Sequence, residues 1–164
     1  MTEVFDFDSY SRKFDDDDFL RQTMRTIDGN PVPEEQLALV RSRIADALAL
    51  GSDDYMLDLC CGNGHLAVPF LGVINRYVGV DGAENLINVA NKYFASPSKA
   101  AFHHQDAVEF VKAIDPSEGI TKMLWYGSCQ YFQDNDVVDM LSALFQNAPQ
   151  LTKIFIGNLP DRAQ

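Results

Sequence analysis

From about residue 53 onward, short apolar runs alternate with longer stretches whose apolar residues recur every three or four positions. The short runs predict strands near 55–59, 76–80, 100–103, 121–126 and 152–157. The longer stretches predict helices near 64–71, 83–94, 106–114 and 134–147. Strands separated in this way by helices predict an α/β class: a parallel sheet with helices on both faces. Residues 1–52 read differently. Residues 1–30 are polar and aromatic, with an acidic run at 15–18 that reads as a solvated helix start rather than a metal site. Carboxylates are favoured at a helix N-terminus, so a helix is predicted over 19–27. Asn30-Pro31-Val32-Pro33 breaks it. A second helix is predicted over 34–50, with Leu37, Val40, Ile44 and Leu48 on one face and Gly51 as its stop. The chain thus divides into an N-terminal helical cap segment, 1–52, and a core, 53–164.

The stretch Met56-Leu57-Asp58-Leu59-Cys60-Cys61-Gly62-Asn63-Gly64 is the most informative. An apolar strand runs into Asp58, and small residues then lead to a predicted helix. A glycine turn against a helix N-terminus makes a ligand cradle, because no Cβ blocks the approach and free N–H groups point outward. The next apolar strand ends in Asp81, nineteen residues beyond Gly62. That spacing suits a carboxylate gripping a ribose in a nucleotide-binding βαβ unit.

With these residues in place the chain resembles the class I S-adenosylmethionine-dependent methyltransferases, whose core is a Rossmann-like sheet. The family's first motif is hydrophobic-Asp-x-Gly-x-Gly-x-Gly. Here it reads Asp58-Leu59-Cys60-Cys61-Gly62-Asn63-Gly64, with Cys60 in place of the first glycine. The resemblance implies S-adenosylmethionine as cofactor, held by Asp58, Cys60, Gly62, Asn63 and Gly64. It implies that Asp81 and Gly82 meet the ribose and adenine, and that Asp106 and Ala107 meet the adenine amino edge. Tyr126, at the end of the fourth strand, is implied to pass beside the methionine end. The segment Phe7-Asp8-Ser9-Tyr10 through Phe14 is similar to an N-terminal cover over the cofactor. The family normally has seven strands, and five are predicted here. The expectation is a protein truncated after the fifth strand, with the substrate loop beginning near Asn158-Leu159-Pro160-Asp161-Arg162. A second copy would then cover the exposed sheet edge as a homodimer.

Composition narrows the acceptor. The formal charge of −11 repels phosphate backbones on average, so a small-molecule acceptor is expected and nucleic acid is not. No apolar run is long enough to span a membrane, and three Cys make structural disulfides improbable. A cytoplasmic protein without metal, methylating O or N atoms, is the expectation.

No catalytic residue is identified. His103 and His104 fall on a strand and point to opposite faces. Cys129, Tyr126 and Tyr131 follow the fourth strand, where pocket walls and ordinary packing are both open readings. Two other functions remain open. A nicotinamide-dependent reductase needs Gly-x-Gly-x-x-Gly, and Ala67 stands at the third position. A non-catalytic methyltransferase-like binding domain is the other. Amino-methylation of nucleic acid would call for Asn/Asp-Pro-Pro-aromatic after the fourth strand, where Tyr126-Gly127-Ser128-Cys129 stands instead.

Overall fold

The computed structural model describes residues 5–159. Pro160, Asp161 and Arg162, expected in a substrate loop, lie outside the described residues. The cap comprises helices α1 (Phe7–Ser11) and α2 (Phe19–Gln22) and strands β1 (Thr26–Ile27) and β2 (Asn30–Pro31). Helix α3 (Glu34–Leu48) leads into the sheet strands β3 (Tyr55–Leu59), β4 (Arg76–Asp81), β5 (Ala100–His104), β6 (Lys122–Tyr126) and β7 (Lys153–Gly157). Helices α4 (Glu84–Phe94), α5 (Ala107–Lys112) and α6 (Asp134–Asn147) connect them.

The five strands are parallel and lie in the order β5-β4-β3-β6-β7. All of β3 is buried, as expected for a parallel strand covered on both faces. Side-chain alternation assigns the faces. Met56, Tyr77, Phe102 and Leu124 pack beneath Leu37, Ile44 and Leu48 of α3 and Ile87 of α4. Leu57, Val78, Val80, Met123 and Trp125 pack against Val111 of α5 and Met140 and Leu144 of α6. The chain leaves β3 toward β4 on one side, and β6 joins β3 on the other. This switch of direction opens a crevice at the carboxyl ends of β3, β4 and β6. Among the described residues β7 pairs only with β6 and forms one edge of the sheet.

Two predicted helices are corrected. No α-helix spans 64–71; a pair of turns leads to a 3-10 helix at Val68–Gly72. Pro69 lacks the N–H that an α-helix would send back to the His65 carbonyl. That carbonyl accepts instead from Arg41 Nη2 at 3.0 Å, and the Leu66 carbonyl accepts from Arg41 Nε at 3.1 Å. The guanidinium of α3 thus takes the place of the missing helical donors. The helix predicted over 19–27 ends at Gln22, after which Met24 takes φ 55°. Residues 26–31 form a hairpin through Asp28 (φ 50°) and Gly29 (φ 77°). Asp-Gly is the preferred pair for a two-residue turn with both φ values positive.

Candidate functional site

A cavity of about 780 Å³ occupies the crevice. One wall comes from the sheet: Cys60 and Gly62 after β3, Asp81 and Gly82 after β4, and Tyr126 at the end of β6. The other comes from the cap, chiefly Phe5, Phe7, Thr23, Met24 and Arg25. Tyr131 belongs to the loop after β6 and touches the cap through Phe7, ring centroids 5.4 Å apart.

The sheet wall is knotted by Asp81. One carboxylate oxygen accepts from the Gly62 amide at 2.8 Å and the other from the Ala83 amide at 2.8 Å. Burial raises its pKa, and the two amides oppose that rise. Each oxygen keeps lone-pair capacity for a ligand hydroxyl. The turn itself needs glycine at Gly64, where φ is 77° and a Cβ would stand 2.6 Å from the Phe102 ring. Cys60 also has a positive φ, 56°, which an L-residue adopts at a cost of roughly 1–2 kcal/mol. Burial pushes its thiol up to about 12, so it stays protonated. Cys129, also raised by burial, is not in the lining.

Other sequence candidates sit behind or beside this wall. Asp58 is buried on the α3 side of the sheet and outside the cavity lining. It accepts from the Tyr77 hydroxyl at 2.9 Å. Burial raises its pKa to about 7, the Tyr77 bond and the Arg25 charge pulling the other way. Asn63 is fully buried and directs its amide at the cap, donating to the Phe19 carbonyl at 2.9 Å and Gln22 Oε1 at 2.8 Å. Gly64, Asp106 and Ala107 are outside the lining. Asp106 caps α5 by accepting from the Glu109 amide at 3.0 Å, and Ala107 is buried beneath that helix. Neither His103 nor His104 lines the cavity; His104 Nε2 lies 3.1 Å from the Gly82 carbonyl. Among the described residues no group of three metal-ligating side chains converges. No described helix is long and apolar enough to cross a membrane.

The cap wall is where the sequence reading missed residues. Tyr10 and Phe14, expected over the ligand, meet edge to face with ring centroids 5.2 Å apart and leave the lining to Phe5 and Phe7. Asp8 anchors α1 by accepting from the Asn85 amide at 2.6 Å. Arg25 was hidden inside a predicted helix. The Asp28-Gly29 pair was the available signal: a hairpin there ends the helix early and frees Arg25 to turn inward.

The comparisons with known proteins bear on the family and the fold. A 23S rRNA (uracil(1939)-C(5))-methyltransferase, RlmD of Haemophilus parainfluenzae, is 32% identical over 87 residues, 53% of this chain and 18% of the relative. This chain therefore spans under a fifth of that protein's length. A Haemonchus contortus phosphoethanolamine N-methyltransferase, solved with phosphoethanolamine and S-adenosylhomocysteine, superposes with a TM-score of 0.66 at 16% identity. The match covers 92% of this chain and 30% of that one. A Geobacter sulfurreducens methyltransferase bound to S-adenosylhomocysteine gives 0.58 at 16% identity, over 94% and 56% of the two chains. At such identities these structures speak to the fold, which is the Rossmann-like methyltransferase fold. The family model described as a methyltransferase domain matches residues 56–148, more than half of the sequence. The chain belongs to the methyltransferase domain family.

Proposed function

We propose that this chain binds S-adenosylmethionine in the crevice and transfers its methyl group to an O or N atom of a small organic acceptor. One observation carries the reading. A single cavity of about 780 Å³ brings together a glycine turn, an acidic strand end and aromatic side chains. Small-ligand sites usually occupy a few hundred to about 1,000 Å³. The donor set fits a nucleoside with an apolar and a polar end. Gly62 lets Thr23 of the cap close over the turn, Asp81 offers its remaining lone pairs to ribose hydroxyls, and Gly82 leaves room for a base. Cys60 and Tyr126 line the neighbouring surface.

When bound, the cofactor supplies an activated methyl group on a sulfonium, so the protein needs no nucleophile of its own. What remains for these residues is placement and exclusion of water, which can supply roughly 7–11 kcal/mol of a barrier. Asp8 and Asp81 both accept from backbone amides, and no histidine lines the cavity. The acceptor atom is accordingly one already nucleophilic at neutral pH, such as an aromatic amine or an acidic hydroxyl.

The turn after β3 also speaks against a dinucleotide. A pyrophosphate is held at a helix N-terminus, and here the first helical residue is Val68, in a 3-10 segment. One observation favours a nucleic-acid acceptor, the similarity to RlmD. The acidic net charge of −11 opposes it.

Titration calorimetry with S-adenosylhomocysteine and with NADH tests the cofactor. Binding of the first alone is expected; binding of NADH alone would sink the reading. Label transfer to a panel of amines, phenols and uracil-containing RNA tests the acceptor. Transfer only to RNA would replace the small-molecule proposal. Cofactor binding with no transfer at all would leave a non-catalytic binding domain.

A further inference from the structure

Arg25 is a cation on the cavity wall for which the described residues provide no ion-pair partner. Among the described residues it makes no ion pair, although Arg12, Arg21, Arg41 and Arg76 each do. Its one side-chain hydrogen bond runs from Nη1 to Thr23 Oγ1 at 2.8 Å. A guanidinium has five N–H donors in a planar fork, so most of its donor capacity remains open. Burial lowers its pKa, and the charge of Asp58 is the largest opposing influence. Asp58, however, accepts from Tyr77, and among the described residues it forms no ion pair with Arg25.

The backbone around this side chain is fixed from both directions. The Arg25 amide donates to the Leu20 carbonyl at 2.8 Å, and the Arg25 carbonyl accepts from the Val32 amide at 3.0 Å. Thr23, which receives the guanidinium, donates its own hydroxyl to the Phe19 carbonyl at 2.9 Å. The β1–β2 hairpin and α2 together hold Arg25 in place before any ligand arrives. Its position over the sheet wall follows from Thr23, whose methyl lies 3.0 Å from where a Gly62 Cβ would stand. Arg25 is half-buried on the cavity wall with most of its donors open, and a preorganised fork matches a carboxylate in two parallel hydrogen bonds.

We propose that Arg25 is a carboxylate receptor, presented by the cap hairpin over the glycine turn and completed by a carboxylate of the bound ligand. The inference rests on the cofactor reading above for one of its two possible sources. The carboxylate belongs either to the methionine end of the cofactor or to an acidic acceptor bound beside it. Both are met by the same fork, and binding measurements separate them.

The probes are S-adenosylhomocysteine, 5′-methylthioadenosine, which has the nucleoside and thioether but no carboxylate, and benzoate. Each is titrated into the wild-type chain and into Arg25→Gln, with circular dichroism to check that the variant is folded. Arg25→Lys keeps the charge without the fork and should fall between the two. If the cofactor supplies the carboxylate, Arg25→Gln weakens S-adenosylhomocysteine by roughly ten- to a hundredfold, the range of a charge-assisted bond. Methylthioadenosine is then unaffected. If the acceptor supplies it, S-adenosylhomocysteine binds both proteins equally. Benzoate then binds the S-adenosylhomocysteine-loaded wild type and not the loaded variant. The proposal is overturned if S-adenosylhomocysteine is unaffected and benzoate binds neither protein or both alike. It is also overturned if methylthioadenosine weakens as much as S-adenosylhomocysteine. Should S-adenosylhomocysteine fail to bind the wild type at millimolar concentration, the cofactor reading fails. Benzoate with the unloaded proteins then still decides Arg25.

Discussion

The two walls of the cavity are held by different physics. The sheet wall is made of strand ends whose amides and acids are tied in low dielectric, Asp81 to Gly62 and Ala83 being the central knot. The cap wall is attached in part by surface ion pairs. Arg12 meets Glu84, and Lys92 meets Asp16 at 2.7 Å, with the Lys92 and Asp16 side chains more than half exposed. Exposed pairs of this kind contribute little. Its other ties are buried or half-buried: Asn63 to Gln22 and Phe19, Asn85 to Asp8 and Ser11, the Phe19 ring stacked on His65 at 5.1 Å, and Leu20 and Val32 against the core. A ligand therefore meets one wall that is prebuilt and one that can open locally without unfolding the sheet.

Asp58, which is buried behind the sheet wall and feels the charge of Arg25, gives the largest expected effect. Its pKa is raised from 3.8 to about 7 in the folded chain. Between these values the folded state holds a proton that the unfolded state has released. Stability is therefore greatest below the unfolded value and declines as pH rises through the folded one. The slope is on the order of 1 kcal/mol per pH unit between about pH 4 and 7. Urea unfolding of the unliganded protein across this window should show the decline, and Asp58→Asn should flatten it. An unchanged slope in Asp58→Asn would place the proton elsewhere than behind the sheet wall.

Asp81→Ala comes next. It leaves the Gly62 and Ala83 amides without their acceptor, at about 1–3 kcal/mol for each one that water does not reach. A loss of about 3 kcal/mol in unfolding free energy is expected, together with weaker nucleoside binding. Full stability with weakened binding would mean that the knot is dispensable and that Asp81 serves the ligand alone.

Asn63→Ala acts on the cap. It should lower global stability by about 2–3 kcal/mol, since the bonds to Phe19 and Gln22 and the one Asn63 Oδ1 accepts from the His65 amide are lost together. Its sharper signature is hydrogen exchange. Amides of residues 7–33 should exchange faster while those of β3, β4 and β6 keep their protection. Equal acceleration in both regions would show that the walls form one cooperative unit. Lys92→Ala is the smallest case: no measurable change in melting temperature is expected. A clear drop would show that the cap depends on its surface charges.

The sheet was legible because its evidence is local and repetitive. Each strand from Tyr55 to Gly157 is a short apolar run near the predicted place. The motif acids stand at strand ends because the side-chain period of two assigns them there. Asp81 was placed at the cavity from the spacing alone. Asp58 was not separated from it, since both read as acids after apolar runs. The alternation of β3 turns Asp58 to the α3 face, toward Tyr77, and only the registered sheet reveals that partner.

What the sequence by itself determined was a parallel α/β core of the methyltransferase kind, with a glycine turn after β3 and an acid after β4. Hydrophobic periodicity and motif spacing are properties of contiguous residues, and they survive without knowledge of the fold. What the tertiary structure decided was every feature that depends on residues far apart in the chain. Arg41 replaces the helical donors after Gly64 from more than twenty residues away. Asn63 faces the cap rather than the ligand because Gln22 and Phe19 arrive there from forty or so residues upstream. Arg25 enters the cavity because a hairpin, and not a helix, follows α2. The partners of Arg41 and Asn63 are long-range and lie in no local window of sequence, whereas the hairpin that turns Arg25 inward is built from residues 20–32 and was signalled by Asp28-Gly29.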